Sequence, residues 1–217
     1  MKNDYHVSKS VVSRLPRYYR FLGMLSDEGI KRISSSELSV KMGLTASQIR
    51  QDFNCFGGFG QQGYGYNVDQ LRAEIGRIIG INRQYKAILV GAGNLGRAIA
   101  THFDFTKKGF DLCGIFDTDQ SLIGSNIGGI IINDFNKIDS FCELYKPAAA
   151  VLCIPEGVGK SVVTKLEENN INCFWNFSHY NINADFPSAV SENVHLNDSL
   201  MTLCFNITNS KAGDNDE

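Results

Sequence analysis

Apolar residues in the first 80 positions recur at helical spacing and are separated by short turn signals. In the stretch 14–25 they fall at Leu15, Tyr18, Tyr19, Leu22 and Leu25. This stripe predicts a helix that is opened by Pro16 and closed near Gly29. A shorter helix is expected over 34–43, and a further helix over about 68–79. The pattern therefore predicts a small helical domain at the start of the chain.

The turn at Gly43 separates the short helix from a third one. Thr45-Ala46-Ser47-Gln48 has the pattern of a capping box and opens that third helix, which runs through about residue 56. Two short helices joined by a glycine turn are typical of a helix-turn-helix, whose second helix enters the major groove of DNA. The candidates for facing the groove are Ser47, Gln48, Arg50 and Gln51. A three-helix bundle that binds no nucleic acid is the alternative.

A glycine-rich and aromatic segment, 57–66, follows the third helix. It has too many glycines for a helix and suits a β-hairpin wing. The tip of such a wing, which carries Gln61 and Gln62, could touch phosphate or the minor groove.

After residue 84 the pattern changes to short apolar runs that alternate with helical stretches. Strands are expected over 86–90, 110–117, 148–154 and about 173–177, with helices after the first and third of them. Alternating strands and helices predict an α/β domain with a Rossmann-like, doubly wound parallel sheet. From Leu196 onward, Leu200, Leu203 and Phe205 supply the apolar face of a terminal helix, and we expect disorder over 210–217.

The sequence GAGNLG at 91–96 stands between the first of these strands and its helix. In this fingerprint the first glycine permits a tight turn, the second lets a pyrophosphate approach the backbone, and the third lets the helix pack closely on the sheet. The phosphates would meet free amides at the positive end of the helix. The expected contacts in this segment are Gly91, Ala92, Gly93, Asn94, Leu95 and Gly96.

Asp117 ends the second strand, 21 residues after Gly96. A carboxylate at this spacing would accept hydrogen bonds from the ribose hydroxyls of adenosine and would repel a 2′-phosphate, which favours NAD(H) over NADP(H). A turn or helix-cap role is the alternative for Asp117. Ile154 and Pro155 lie at the C-terminal end of a later strand and are expected at the same ligand-binding edge.

Charge is divided unevenly along the 217 residues. Residues 1–84 hold 12 Lys or Arg against 7 Asp or Glu, whereas 85–217 hold 9 against 16. A basic front half fits a polyanionic partner, although a solvated charge excess is also common. The sequence shows neither a long apolar run nor a leader, so we expect a cytoplasmic protein without membrane contact.

The six cysteines have neither CxxC nor histidine spacing. They are expected to be reduced, and a metal site is not expected. A catalytic residue is not expected either, because the Tyr-x-x-x-Lys spacing of a short-chain dehydrogenase occurs only at Tyr5 and Lys9, far before the fingerprint. An NAD-dependent oxidoreductase, or a module that binds coenzyme A or another nucleotide, remains the alternative.

The chain resembles the Rex family of bacterial redox-sensing transcriptional repressors over nearly its whole length. The stretches that carry the resemblance are SRLPRYYRFL, ISSSEL, TASQIRQDFNCFGGFGQQGYGYNV, VGAGNLGRAIATHF, IFDTD and FWNFS. The resemblance implies a homodimer that binds operator DNA through winged-helix domains and NAD(H) through Rossmann domains. It also implies a domain-swapped C-terminal helix and a repressor whose operator binding is disfavoured by NADH.

The chain departs from the family pattern at the DNA-binding positions. Gln51 stands where the family commonly has a lysine after the recognition-helix arginine, and Gln61 and Gln62 stand in a wing that usually carries basic residues. Each lost phosphate contact should reduce the salt slope of binding by roughly one.

A second departure concerns the positions that form a ligand-dependent polar cluster in the family, an arginine, a tyrosine and an aspartate. Arg20 matches the arginine, whereas His102 and His195 stand in place of the other two residues. Leu196 replaces a phenylalanine that reaches the partner's nicotinamide pocket in the family. If the two histidines act in the switch, it is expected to be weakened, altered or sensitive to pH. The alternative is that both are satisfied surface or interface residues.

These observations divide the chain into four parts. We expect a winged-helix domain over 1–84, a Rossmann NAD(H)-binding domain over 85–190, a C-terminal dimerisation helix over 191–209 and a disordered tail over 210–217.

Overall fold

The computed structural model describes residues 8–57 and 64–212, with the backbone alone at 211 and 212. The chain divides into two compact units, Met1–Asn82 and Arg83–Glu217, called below the N-terminal and C-terminal units. Gln61, Gln62 and most of the expected wing lie outside the described residues, as does the tail from residue 213.

The buried faces of four helices and one short strand form the core of the N-terminal unit. Its elements are α1 (Lys9–Asp27), β1 (Arg32–Ile33), α2 (Ser35–Met42), α3 (Ala46–Asn54), β2 (Tyr66–Asn67) and α4 (Val68–Ile79). Ser34 begins α2 with a complete capping box, and the left-handed Gly43 ends it. This confirms the helix-turn-helix pair, α2 and α3, that the sequence predicts.

The start of α1 corrects the expectation that Pro16 opens this helix. The helix begins at Lys9, one residue after the N-cap Ser8, and Pro16 lies inside it. The buried stripe already starts at Val11 and Leu15, so packing extends the helix by two turns toward the N-terminus. Pro16 is exposed, which places the missing hydrogen bond on the solvent side of the helix.

The described end of the wing segment also differs from the sequence prediction. Tyr66–Asn67 pairs antiparallel with Arg32–Ile33, a strand that the sequence did not indicate. Both strands have two residues, which is too short for an alternating pattern to reveal.

The C-terminal unit alternates strands and helices around a seven-stranded sheet. Its elements are β3 (Tyr85–Val90), α5 (Asn94–His102), β4 (Phe110–Asp117), β5 (Asn126–Ile127), β6 (Ile130–Asp134), α6 (Ile138–Tyr145), β7 (Ala149–Leu152), α7 (Gly159–Glu168), β8 (Cys173–Asn176), α8 (Ile182–Asp185), β9 (Val190–Asn193) and α9 (Leu196–Ala212).

The strand order in this sheet is β5-β6-β4-β3-β7-β8-β9. All pairs are parallel except β5 with β6. Without the antiparallel edge strand β5, this is the order of a Rossmann sheet, in which the direction of winding reverses between β3 and β7. One sheet face packs on α6 and α7, and the other packs on α5. The parallel Rossmann-like sheet expected from the sequence is confirmed.

The C-terminal boundaries differ from the expected ones. Residues 190–193 form the strand β9 rather than the start of a dimerisation helix, since Val190 N donates to Asn172 O (2.9 Å) and Val194 N donates to Asn176 O (2.8 Å). The terminal helix begins at Leu196 and continues through Ala212, so residues 210–212 are helical rather than disordered. Among the described helices, none is both long and apolar enough to cross a bilayer.

Candidate functional site

The fingerprint turn lies at the point where the sheet reverses its winding. Gly91 follows β3 with φ +97°, in the left-handed region, and its N–H donates to Phe116 O on β4 (2.8 Å). A Cβ at Gly91 would overlap the carbonyl group of Cys153, which follows β7. Only glycine fits here, because the turn passes directly between the ends of two neighbouring strands.

The other two glycines of the fingerprint have different surroundings. A Cβ at Gly96 would overlap the carbonyl oxygen of Gly91, so this glycine brings α5 close to the sheet. A Cβ at Gly93 would meet no heavy atom within 4 Å, and the Gly93 backbone is extended, with φ −67° and ψ −168°. The described structure gives no internal reason for glycine at position 93, and the space beside it is open to a ligand.

The N-terminus of α5 has backbone N–H groups that could donate hydrogen bonds to a ligand. Gly93 is its N-cap and has no side chain to accept their hydrogen bonds. The first intrahelical bond runs from Arg97 N to Gly93 O (2.8 Å), so the N–H groups of Asn94, Leu95 and Gly96 precede the helical ladder. Free amides at the positive end of a helix form an anion site of the kind that holds a pyrophosphate.

Asp117 lies beside this turn, at the end of β4. One carboxylate oxygen accepts the N–H of Ala92 (2.6 Å), and the other accepts the N–H groups of Thr118 (2.7 Å) and Asp119 (2.9 Å). Asp117 therefore also has the turn role that was its alternative interpretation. A carboxylate has about four lone-pair sites, so these three bonds leave capacity for a ribose hydroxyl.

The edge opposite Asp117 is formed by the residues after β7. Ile154 is half-buried and packs against the position where a Cβ of Gly91 would lie, whereas Pro155 is exposed. Burial raises the pKa of the neighbouring Cys153 thiol to about 12, so this group is neutral near pH 7. Within 8–57 and 64–212, no group of three or more His, Cys, Asp or Glu side chains could hold a metal.

The start of α3 has only part of the predicted capping box. The Thr45 side chain accepts the N–H of Gln48 (3.1 Å), as expected. The Gln48 amide, however, donates to Asp52 Oδ1 (3.0 Å) instead of returning to Thr45. Gln48 is half-buried in this bond, and its expected role at the groove stays a prediction.

A buried carboxylate cluster, which the sequence analysis missed, holds α3 against α1. Asp52 is fully buried and accepts two bonds from Arg14 (both 2.7 Å), one from the Tyr18 hydroxyl (2.8 Å) and one from Gln48. Burial of Asp52 raises its pKa, but these hydrogen bonds and the charge of Arg14 outweigh burial and lower it overall. In the same cluster, burial and the bond to Asp52 raise the pKa of Tyr18.

The face of α3 opposite this cluster points to solvent. Ser47, Gln51 and Asn54 are exposed and recur at the spacing of one helix face. Among the described residues, no hydrogen bond involves the side chains of Gln51 or Asn54. Arg50 is also exposed, and it donates to Ser35 Oγ on α2 (3.0 Å). Asn54, which the sequence analysis did not include, is therefore a further candidate for the DNA-facing surface.

The expected switch residues are distributed over both units. Arg20 is exposed on α1, and His102 is exposed in the last turn of α5. His195, which precedes α9, is half-buried and stacks on His179, with ring centroids 5.9 Å apart and planes within 7°. Leu196 is 62% exposed. The histidine contact of His195 is thus with His179, a residue that the sequence analysis did not consider.

Two protein-family models match the chain, and the ranges they match correspond to the two units. Residues 6–54 match the model described as "Putative DNA-binding protein N-terminus". Residues 82–180 match the model described as "CoA binding domain".

Curated relatives match almost the entire chain and are described as redox-sensing transcriptional repressors, not as enzymes. The Rex protein of Clostridium acetobutylicum is 45% identical over 203 residues, which cover 94% of each chain. The Rex protein of Clostridium novyi is 46% identical over 205 residues, covering 94% of this chain and 97% of that protein.

Solved structures of RSP, described as a Rex-family repressor, have the same fold. RSP in complex with β-NAD⁺ and operator DNA superposes with a TM-score of 0.88 at 44% identity, covering 96% of this chain and 95% of RSP. RSP in complex with β-NADH superposes with a TM-score of 0.86 at 41% identity, covering 96% and 98%. Taken with the relatives, these matches show that the chain belongs to the Rex family of redox-sensing transcriptional repressors.

Proposed function

We propose that this protein is a DNA-binding transcriptional repressor that senses the cellular NADH/NAD⁺ ratio, with NADH disfavouring operator binding. The observation that carries the proposal is the presence, in one chain, of a helix-turn-helix with a free outer face and a Rossmann unit with an open phosphate cradle at Gly93. The structures of its relative RSP with operator DNA and NAD⁺, and with NADH, support both halves of the proposal.

The ligand of the C-terminal unit would be NAD(H). The pyrophosphate would occupy the open space at Gly93 and bind the free amides at the start of α5. The Asp117 carboxylate would accept a ribose hydroxyl of the adenosine. Ile154 and Pro155 would line the other side of the crevice. Because Asp117 is anionic, a nucleotide with a phosphate on that ribose, such as NADP(H) or coenzyme A, should bind more weakly.

The DNA-binding surface would be the exposed face of α3 together with the wing. Ser47, Arg50 and Gln51 would reach the major groove, while Gln48 would support α3 through Asp52. Gln61 and Gln62 lie outside the described residues and enter the proposal only through the sequence.

The protein would act as a homodimer whose C-terminal helices cross between subunits. Along α9 the large apolar side chains are exposed, with Leu200 at 62% and Phe205 at 66%. The same unit has an apolar cleft of about 490 Å³, whose lining includes Phe103, Phe105 and Trp175. A second copy can cover both surfaces at once, which is the arrangement expected of a two-fold symmetric pair.

The test is a titration of the full-length protein with duplex DNA selected from a random pool, without nucleotide and with NAD⁺, NADH or coenzyme A. We expect specific binding with NAD⁺ that NADH weakens, and coenzyme A should have little effect. If no duplex is bound specifically under any condition, the repressor function is wrong. Identical binding under all four conditions would support the repressor function and contradict the redox sensing.

A further inference from the structure

The outward face of α3 differs in chemistry from a phosphate-binding surface. Its three central side chains, Ser47, Gln51 and Asn54, are all neutral, and all three can both donate and accept hydrogen bonds. The charged Arg50 lies at the flank of this face and is bonded to Ser35 on α2. Since phosphate contacts draw their strength from cations, the centre of this face is suited to base edges instead.

We infer that Gln51 and Asn54 form a carboxamide pair that reads adenine in the major groove of each operator half-site. The inference rests on the proposed DNA binding and names the base that α3 recognises. The two residues are three positions apart and therefore neighbours on the helix surface. Both side-chain amides have no hydrogen-bond partner among the described residues, so they are available without breaking an internal bond.

Adenine is the base that matches this chemistry. Its major-groove edge presents an acceptor, N7, beside a donor, the N6 amino group, and one carboxamide satisfies both at once. The side-chain NH₂ donates to N7, and the side-chain oxygen accepts from N6–H. Guanine presents two acceptors, which suit arginine or lysine better than glutamine or asparagine.

The helix is also held firmly enough for such readout. The buried faces of Ile49 and Phe53 lie opposite Gln51, and Asp52 binds α1 through three hydrogen bonds. A bidentate contact requires this rigidity, because its two hydrogen bonds demand a fixed distance and angle to the base. The outward face that carries Gln51 and Asn54 is thereby held in place from the opposite side of the helix.

The experiment uses the full-length protein with NAD⁺ and duplexes selected from a random pool. Each adenine of the selected half-site is replaced in turn by 7-deazaadenine, which removes the N7 acceptor and keeps the base pair. At one or two positions we expect wild-type affinity to fall about tenfold, the loss expected for part of a bidentate contact. Gln51→Ala or Asn54→Ala should be insensitive to the same replacement, because the contact is already missing.

Two further variants separate base readout from charge. Gln51→Lys should bind random duplex more tightly, increase the salt slope by roughly one and lose the adenine preference. Gln70→Glu, at an exposed position of α4, is a control that should keep the wild-type response to 7-deazaadenine.

Equal sensitivity of wild type, Gln51→Ala and Asn54→Ala to every replacement would overturn the inference while leaving the repressor function intact. Absence of any selected duplex would overturn the proposed function, and the inference with it.

Discussion

Replacing Asp52 with Asn tests whether the buried carboxylate cluster holds the N-terminal unit together. The carboxylate accepts four hydrogen bonds, two of them from the Arg14 guanidinium at 2.7 Å. An asparagine keeps the shape of the side chain, but its NH₂ group would face donors. The substitution also leaves the charge of Arg14 without its partner.

The expected loss in the free energy of unfolding depends on how deeply each of the two ion-pair partners is buried. Removing one partner of a buried pair typically costs about 3–5 kcal/mol. The Asp52 side chain is fully buried, but that of Arg14 is 23% exposed, so water can partly compensate its charge. We therefore expect a loss at the low end, about 3 kcal/mol, which is a large part of the stability of a small domain. Tyr18→Phe, which removes one hydrogen bond to the carboxylate, should cost about 1.5 kcal/mol.

Urea unfolding can assign this loss to the correct unit because the chain has a single tryptophan. Trp175 lies on β8, so its fluorescence reports the C-terminal unit, whereas far-UV circular dichroism reports the helices of both units. Asp52→Asn should move the part of the dichroism transition that reports the N-terminal unit to lower urea and leave the fluorescence midpoint in place. A shift worth less than 1 kcal/mol, or an equal shift of the fluorescence midpoint, would refute the reasoning.

Three other expectations follow from the same structure. Because the pKa of Asp52 is lower in the folded than in the unfolded state, Asp52 stabilises the fold above its unfolded pKa of about 3.9, and this contribution is lost as the pH falls through the folded pKa. The free energy of unfolding, measured with urea at a series of acid pH values, should therefore fall with pH in the wild type by more than in Asp52→Asn. Gly93→Ala should preserve the fold and weaken NADH binding, measured by calorimetry, by about tenfold or more, because the new methyl group displaces the phosphate. Gly96→Ala should instead destabilise the C-terminal unit by roughly 3 kcal/mol or more, because its Cβ overlaps a backbone carbonyl. Leu200→Glu should convert dimers to monomers in light scattering, while Leu144→Glu on α6 should not, although Leu144 is 74% exposed and Leu200 62%. Unchanged mass for both variants would count against the role of α9.

Elements with local start and stop signals could be predicted from the sequence. Helix α4 begins after the N-cap Asn67 and ends at the left-handed Gly80, and β4 is an apolar run that ends in Asp117. Strands β1 and β9 have no such signals. Only one of their six side chains, that of Ile33, is both apolar and buried. Their existence depends on pairing with distant partners, which a single sequence does not reveal.

The candidate site divides in the same way. The glycines of the fingerprint are close together in the sequence. The turn at Gly91, the open space at Gly93 and the close packing at Gly96 could therefore be predicted from their spacing. The bond between Arg14 and Asp52 joins residues 38 positions apart, and spacing gives no indication of it. One signal was nevertheless present: Asp52 lies between Ile49 and Phe53 on the apolar side of α3. A carboxylate on a buried face must have a charged or hydrogen-bonding partner.

The surroundings of His195, an expected switch residue, connect two segments at one edge of the sheet. Asn176, fully buried at the end of β8, binds Ser178 and the carbonyl of Tyr180 on one side and Asn193 at the end of β9 on the other. The loop that carries His179 is therefore bonded to the strand that leads into α9, and the stack of His179 on His195 adds a second connection. Both connections lie at the carboxyl edge of the sheet, where ligands of this fold bind. We predict that a ligand which displaces this loop also moves the start of α9, because the displacement would otherwise break these contacts, and such a coupling would not require an aspartate at position 195.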